Sequence, residues 1–393
     1  MKRSTKSTLL TLTILSGLFS FSCSNGNLKE IPIGAIFDKS GVTKEISSEY
    51  AAGVEDYIRF LNEQGGINGK PIKLYAKDCK YKISAAYSWY EELKAKHVLA
   101  IIGWGTGDTE ALAPKINSDK IPFISASYSE NLANGEKYPY NFIGAVSYSD
   151  QARIALKFIK NQPGNTKKVG FIYNDTAFGR SPFFPDGEDF AKELGFEVEK
   201  IVIPLTGKLA KEKLKLLSAE YIIVQETTAA TLAILRAIDD LKLDTRVILL
   251  NWAIDENVAS RFPEMPDGKV YGTIPYGVWN DKLPGVKFMK ELNARYHPDI
   301  KSRTCRYIQG YINAKILMEA VEKCGSNLTS ENIKNQLEKF VNFDTEASFN
   351  KVTYTKSIHK PSSSIIIYKL VKGKIVPTSK LLISVEKKIW QEY

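Results

Sequence analysis

The sequence predicts an α/β protein with two parallel-sheet lobes joined through a hinge, and three observations predict it. Short apolar runs alternate with stretches of helical periodicity, first over residues 31–125 and again over 169–250, which is the pattern of successive β/α units. No low-complexity linker or short-period repeat separates the two blocks, which meet near residue 145, so the chain is expected to cross directly between lobes. The length of 393 residues suits two or three domains.

In the first block, residues 31–37 form an apolar run that reads as a strand. Ile46, Tyr50, Val54, Tyr57, Ile58 and Leu61 then recur at helical spacing until Gly65-Gly66 stops the helix. Residues 72–76 alternate as a strand, 83–96 are helical, and 98–102 form a buried strand broken by Gly103-Trp104-Gly105. Thr106 or Asp108 is expected to cap the next helix, which runs through Ile116, and 122–125 is a strand. The second block predicts strands at 169–173, 196–203, 221–225 and 247–250, with helices at 186–194, 209–217 and 229–241 between them. Helices at 285–296, 306–323 and 330–341 follow. Residues 352–354, 365–371 and 375–376, with a Lys372-Gly373 turn, read as a small antiparallel tail.

The N-terminus carries an address. Lys2, Arg3 and Lys6 precede an uncharged apolar stretch from Leu9 to Phe21, too short to span a bilayer and suited to a signal peptide. Cys23 follows Ser20-Phe21-Ser22, which predicts removal of residues 1–22, lipidation of Cys23 and a tether over 23–30, although Ser20-Phe21 departs from the usual leucine-then-small pattern. The expected location is therefore a membrane anchor facing the periplasm or cell exterior. Cys79, Cys305 and Cys324 remain. The last two sit at opposite ends of one expected helix, roughly 28 Å apart, so they cannot bridge each other.

Composition excludes other classes. A 44% hydrophobic fraction is too high for a disordered chain. The net charge of +10 is spread over scattered lysines with no arginine-rich helix, which reads as a solvated surface and not a nucleic-acid stripe. His97, His297 and His359 are isolated, and no H-E-x-x-H, C-x-x-C or G-x-S-x-G motif occurs. No metal, cofactor or enzymatic reaction is expected. Gly65-Gly66-Ile67-Asn68-Gly69-Lys70 falls one residue short of a phosphate loop and has Pro71 where a hydroxyl residue would hold magnesium. Gly103-Trp104-Gly105-Thr106-Gly107 lies between strand and helix, where exposed N–H groups suit an anion.

Several motifs follow one another in a recognisable order. Asn62-Glu63-Gln64-Gly65-Gly66-Ile67-Asn68-Gly69-Lys70-Pro71-Ile72 leads to Lys77-Asp78, Ile101-Ile102-Gly103, Ala113-Pro114 and Ile121-Pro122-Phe123-Ile124-Ser125. Tyr173-Asn174-Asp175 with Phe178-Gly179, then Gln309-Gly310-Tyr311-Ile312-Asn313-Ala314, His359 and Gly373-Lys374 complete the series. From residue 31 to about 376 the chain resembles the leucine/isoleucine/valine-binding protein family, the type I periplasmic solute-binding proteins of ABC importers.

That resemblance implies two Rossmann-like lobes joined by a three-segment hinge, a small ligand clamped between them, and a membrane permease as partner to a monomer. The lobes would comprise 31–145 with 275–350, and 146–274 with 351–393, with hinges near 145–147, 273–277 and 349–352. Thr106 matches the hydroxyl residue that holds a ligand carboxylate. Ser127 N–H would meet the same carboxylate, while the Tyr128 carbonyl and Ser129 hydroxyl would meet an amine. Phe178 would be the aromatic lid, and Ser40 would line the side-chain pocket. Amino-acid binders of this family place an acid where this sequence has Trp252, so Asp255, Asp108 or Glu226 must supply the charge, or the ligand is not an α-amino acid. Trp252 would then stack on a flatter ligand or a cation. The expected ligand is a branched-chain amino acid or a related amide or carboxylate. A ligand-sensing receptor that signals to a kinase or chemoreceptor is the alternative on the same fold.

Overall fold

A computed structural model describes residues 29–379 and 381–390. The expected signal peptide and the Cys23 lipidation site lie outside the described residues.

Strand β1 (Ile31–Phe37), α1 (Lys44–Glu63), β2 (Ile72–Asp78), α2 (Ile83–Ala95), β3 (Ala100–Gly103), α3 (Thr106–Asp119), β4 (Phe123–Ser125) and β5 (Asn141–Ile143) build the first lobe. Its five strands are parallel in the order β2-β1-β3-β4-β5. Every residue of β1 is buried, as expected for a strand covered on both faces.

The second lobe begins with α4 (Tyr148–Lys160), β6 (Lys168–Tyr173), α5 (Ala177–Arg180), α6 (Asp186–Glu193) and β7 (Glu197–Val202). It continues through α7 (Ala210–Leu214), β8 (Tyr221–Gln225), α8 (Thr228–Asp240), β9 (Arg246–Leu249), α9 (Glu256–Ser260) and β10 (Val270–Thr273). The chain then returns to the first lobe as α10 (Pro284–Tyr296), α11 (Cys305–Lys323) and α12 (Ser330–Leu337), with α10 and α11 against α1 and α12 against α11. It ends in β11 (Ser364–Ile365), β12 (Ile367–Val371), β13 (Lys374–Pro377) and β14 (Ile383–Ser384). The second sheet runs β13-β12-β10-β9-β8-β6-β7, with β12 and β13 antiparallel additions to a parallel core.

Helices α1 and α11 cross closely because glycine sits at both contact points. A Cβ on Gly53 would lie 2.0 Å from the Tyr307 carbonyl oxygen, and one on Gly310 would lie 2.0 Å from that of Tyr50. This gives the Gln309-Gly310-Tyr311 motif a physical reason.

The alternation of strands and helices over 31–125 and 169–250 holds. Elements β5, α4, α5, α9 and β10 have no counterpart in the sequence reading. The helix expected over 330–341 stops at Leu337, and the strand expected over 352–354 is reduced to one bridge between Phe343 and Val352. Neither Thr106 nor Asp108 caps α3; its N-cap is Gly105. The first two crossings fall between Ile143 and Tyr148 and between Thr273 and Pro284. The third comes later than residues 349–352. Main-chain bonds from Ile143 N–H to the His359 carbonyl and from His359 N–H to the Ala133 carbonyl keep the intervening chain on the first lobe. Cys305 opens α11 and Cys324 caps its end, and these two and Cys79 are buried free thiols.

Candidate functional site

Both sheets point their carboxyl ends at the gap between the lobes, and the loops leaving those ends meet there. A small pocket, about 20 Å³ in cavity volume, lies between them. The loop after β1 and the start of α1 supply Thr43 and Ile46, the loop after β2 supplies Tyr81, and the β3-to-α3 turn supplies Trp104, Gly105 and Thr106. Across the gap stand Tyr148 at the start of α4, Phe178 in α5, Thr227 after β8 and Trp252 after β9.

Aromatic rings close the gap. The Trp104 and Trp252 rings meet edge to face with centroids 5.1 Å apart, and Tyr128 lies nearly parallel to Trp252 at 6.4 Å. Tyr148 packs edge-on against Phe178 at 5.7 Å. Both indole N–H groups are committed within the protein: Trp104 Nε1 donates to Thr43 Oγ1 at 2.9 Å, and Trp252 Nε1 donates to Tyr148 Oη at 2.8 Å. Thr106 Oγ1 lies 2.7 Å from Ser127 Oγ, and the hydroxyls of both also reach Tyr148 Oη. A hydroxyl cluster thus sits at one end of an aromatic pocket.

Of the residues singled out by sequence, Thr106, Phe178 and Trp252 line this pocket, and Ser127 stands directly behind Thr106. Ser127 N–H already donates to Ser125 Oγ at 2.9 Å. The Tyr128 carbonyl already accepts from Tyr148 N–H at 2.8 Å, and Ser129 Oγ donates to Glu110 at 2.6 Å. Ser40 is exposed and donates to Asp78 at 2.6 Å, away from the pocket lining.

The three candidate carboxylates are also engaged elsewhere. Asp255 is the N-cap of α9, accepting from Val258 N–H at 2.9 Å and from Thr228 Oγ1 at 2.7 Å, and Arg306 Nε stands 3.9 Å from it. Glu226 is buried and accepts from Asn174 Nδ2 at 3.1 Å; burial pushes its carboxyl up to about 8. Asp108 folds back onto the first turn of α3, where the main-chain N–H groups of Thr109, Asp108 and Gly105 bond its carboxyl. Burial nevertheless pushes it up to about 6.

Sequence reasoning missed Thr43, Ile46, Tyr81, Tyr148 and Thr227 as pocket residues, and read Trp104 only as part of a turn. Trp104 carried a signal, a large aromatic set between two glycines at a strand end. Arg306 is a further omission. It is fully buried, with its guanidinium 4.7 Å from the centre of the Trp252 ring, and it donates to the Ile254 carbonyl at 2.8 Å and to Tyr276 Oη at 2.6 Å.

Two parallel-sheet lobes with a pocket between the carboxyl ends of their strands define a bilobal ligand clamp. The chain belongs to the periplasmic binding protein family, whose sequence profile it matches over residues 30–374. A curated relative, Leu/Ile/Val-binding protein homolog 7 of Brucella suis, is 24% identical over 179 residues, a stretch covering 43% of this chain and 44% of that protein. An ABC transporter substrate-binding protein of Aeropyrum pernix is 27% identical and superimposes with a TM-score of 0.83 over 92% of this chain and 97% of its own. A branched-chain amino acid ABC transporter protein of Thermus thermophilus with bound valine is 22% identical, with a TM-score of 0.82 over 89% and 95%. Among the described residues no helix is long and apolar enough to cross a membrane, and no cluster of His, Cys, Asp or Glu is arranged to hold a metal.

Proposed function

We propose that this protein is the extracytoplasmic solute receptor of an ABC importer, tethered to the membrane through a lipid on Cys23. It captures a small molecule between its lobes and passes it unaltered to a permease. The observation that carries this reading is the contact of Trp104 with Trp252 across the gap, above the Thr106 hydroxyl cluster. Residues from both lobes form one pocket, so a ligand that touches both favours the closed arrangement and shifts the population toward it. Aromatic burial and hydroxyl hydrogen bonds suffice for a micromolar site, which needs about −8 kcal/mol. The likeness to a Leu/Ile/Val-binding homolog and to a valine-bound protein supports branched-chain amino acids as the first compounds to try, with related amides and carboxylates beside them.

Calorimetric titration of the protein against such a set, with scattering to follow its radius of gyration, tests the clamp. The expected result is one bound molecule per chain, a contraction on binding, and recovery of the ligand unchanged by mass spectrometry. A chemically altered ligand, or binding without contraction, overturns the reading. Cys23→Ser is expected to move the protein from the membrane fraction to the soluble fraction.

A further inference from the structure

The pocket has a chemical character set by the two indoles that line it and by an aspartate behind its wall. An α-amino acid brings a carboxylate and an ammonium, and each needs a partner when removed from water. Neither end finds a charged one here. Among the described residues, no Asp, Glu, Lys, Arg or His lines the pocket.

On the first-lobe side, an anion would be drawn to the N–H groups that open α3. The chain's own Asp108 fills that position, taking bonds from Thr109 N–H at 3.0 Å and from the main chain of Gly105. A second carboxylate brought beside it meets repulsion and fewer free donors. Asp38, also buried, holds the neighbouring loop through Thr43 N–H at 2.8 Å and Thr43 Oγ1 at 2.7 Å, adding a second acid behind the same wall.

On the second-lobe side, the surface facing the first lobe is the Trp252 ring. An arginine, Arg306, is stacked on that indole, so the ring is already polarised by one cation and is a poor seat for another. Asp255 is spent on Thr228 and on the α9 cap. What remains to a ligand is aromatic surface from Trp104, Trp252, Phe178 and Tyr81, with neutral hydroxyls from Thr106, Tyr148 and Thr227.

We infer that the pocket takes a ligand without formal charge, a flat or branched apolar body bearing one neutral hydrogen-bonding head such as an amide or phenol, and discriminates against α-amino acids of the same size. This rests on the clamp reading above and names its ligand class. The head would meet the Thr106–Ser127–Tyr148 hydroxyls, and the body would lie against the two indoles.

The test holds the body constant and varies only charge. Phenylacetamide, phenylacetate, phenethylammonium and L-phenylalanine form one calorimetric series; isovaleramide, isovalerate, isoamylammonium and L-leucine form a second. The expected order places the amide about tenfold or more ahead of every charged member in at least one series. If a zwitterion, anion or cation leads in both, or if neither amide binds, the inference fails. Contraction on binding of any member is scored separately, so the clamp reading survives an amino-acid result and falls only if binding leaves the lobes unmoved. Asp108→Asn supplies a second readout. It should improve phenylacetate or isovalerate affinity about tenfold while leaving the amides within a factor of about three. Unchanged discrimination in a folded Asp108→Asn protein counts against the inference. Trp252→Phe serves as a control that keeps a ring where Trp252 stands.

Discussion

The pocket and the hinge of this molecule both lie between its lobes, yet they are built from opposite materials. The pocket brings rings and hydroxyls together and keeps formal charge out of its wall. Beside the crossings, the protein buries charge outright. Lys360 Nζ lies 2.6 Å from Glu130 and 2.8 Å from Asp150, and all three side chains are fully buried. Glu130 follows β4 in the first lobe, Asp150 lies in the first turn of α4, and Lys360 comes just after the segment held on the first lobe by His359. One ammonium therefore ties the first lobe to the opening helix of the second. The C-terminal segment covers this cluster: Trp390 Nε1 donates to Asp150 at 2.6 Å, and the Trp390 ring lies 3.5 Å from the Arg153 guanidinium. The difference teaches where specificity of geometry is needed. A pocket that must open and release its solute gains little from fixed ion pairs, whereas a pivot that must keep one arrangement gains register from them.

Breaking the pivot should give the largest effect. In Lys360→Ala the Glu130 and Asp150 carboxyls lose their counter-charge in a place water does not reach. Removing one partner of a buried pair costs about 3–5 kcal/mol, so urea unfolding of the variant should show that loss at neutral pH. A loss below about 1 kcal/mol would mean that the cluster is solvated in solution and that the contrast with the pocket is false.

Much of this architecture was legible in the sequence, because parallel strands buried on both faces leave unbroken apolar runs such as Ile31–Phe37 and Tyr221–Gln225. Helix α4 was legible and overlooked: Ala152, Ile154, Ala155, Leu156 and Ile159 recur at helical spacing along its buried face. Strand β5 is three residues long, too short to carry a period. The site was legible only in part. Thr106, Phe178 and Trp252 stand directly beyond strand ends, where position in the chain fixes position in the cleft. Tyr148 belongs to the overlooked helix. Asp255 looked available as a charge, but a residue three positions ahead of a main-chain N–H at a helix start is a natural cap, and the local bond to Val258 took it. Arg306 could not be placed, since a buried arginine on an indole is a tertiary contact with no local period.

The pH dependence of stability sharpens the comparison at intermediate cost. Burial pushes Glu130 up, against the pull of the Lys360 ammonium. It pushes Glu226, behind the pocket, up to about 8 and Glu256 to about 7. An unfolded glutamate titrates at about 4.3. Between that value and the raised ones the folded protein holds protons that the unfolded chain gives up, so these groups favour folding at mildly acidic pH and the benefit is lost as pH rises through 7 to 8. Calorimetry should show Tm falling by a few degrees between pH 5.5 and 8. Glu130→Gln and Glu226→Gln should each flatten part of that slope, and the larger flattening identifies the region that carries it. A Tm that rises over the same interval would contradict the burial of both groups.

The smallest effect on stability is expected in the pocket, and the reason is its ability to open. Tyr148→Phe removes the oxygen that accepts from Trp252 Nε1 and meets the Thr106 and Ser127 hydroxyls. A buried donor left without a partner costs about 1–3 kcal/mol, but here the cost falls on the closed arrangement. Parting of the lobes lets water reach the indole N–H, so the variant avoids most of the penalty by opening. Global unfolding should therefore change by less than about 1 kcal/mol, while scattering shows a larger radius of gyration and ligand affinity drops about tenfold as closure becomes harder. At the hinge the same argument does not run, because Trp390 bonds to both Glu130 and Asp150 and covers the ions beside the crossings. If Tyr148→Phe instead destabilised the fold as much as Lys360→Ala does, the pocket would be a rigid core and not a clamp.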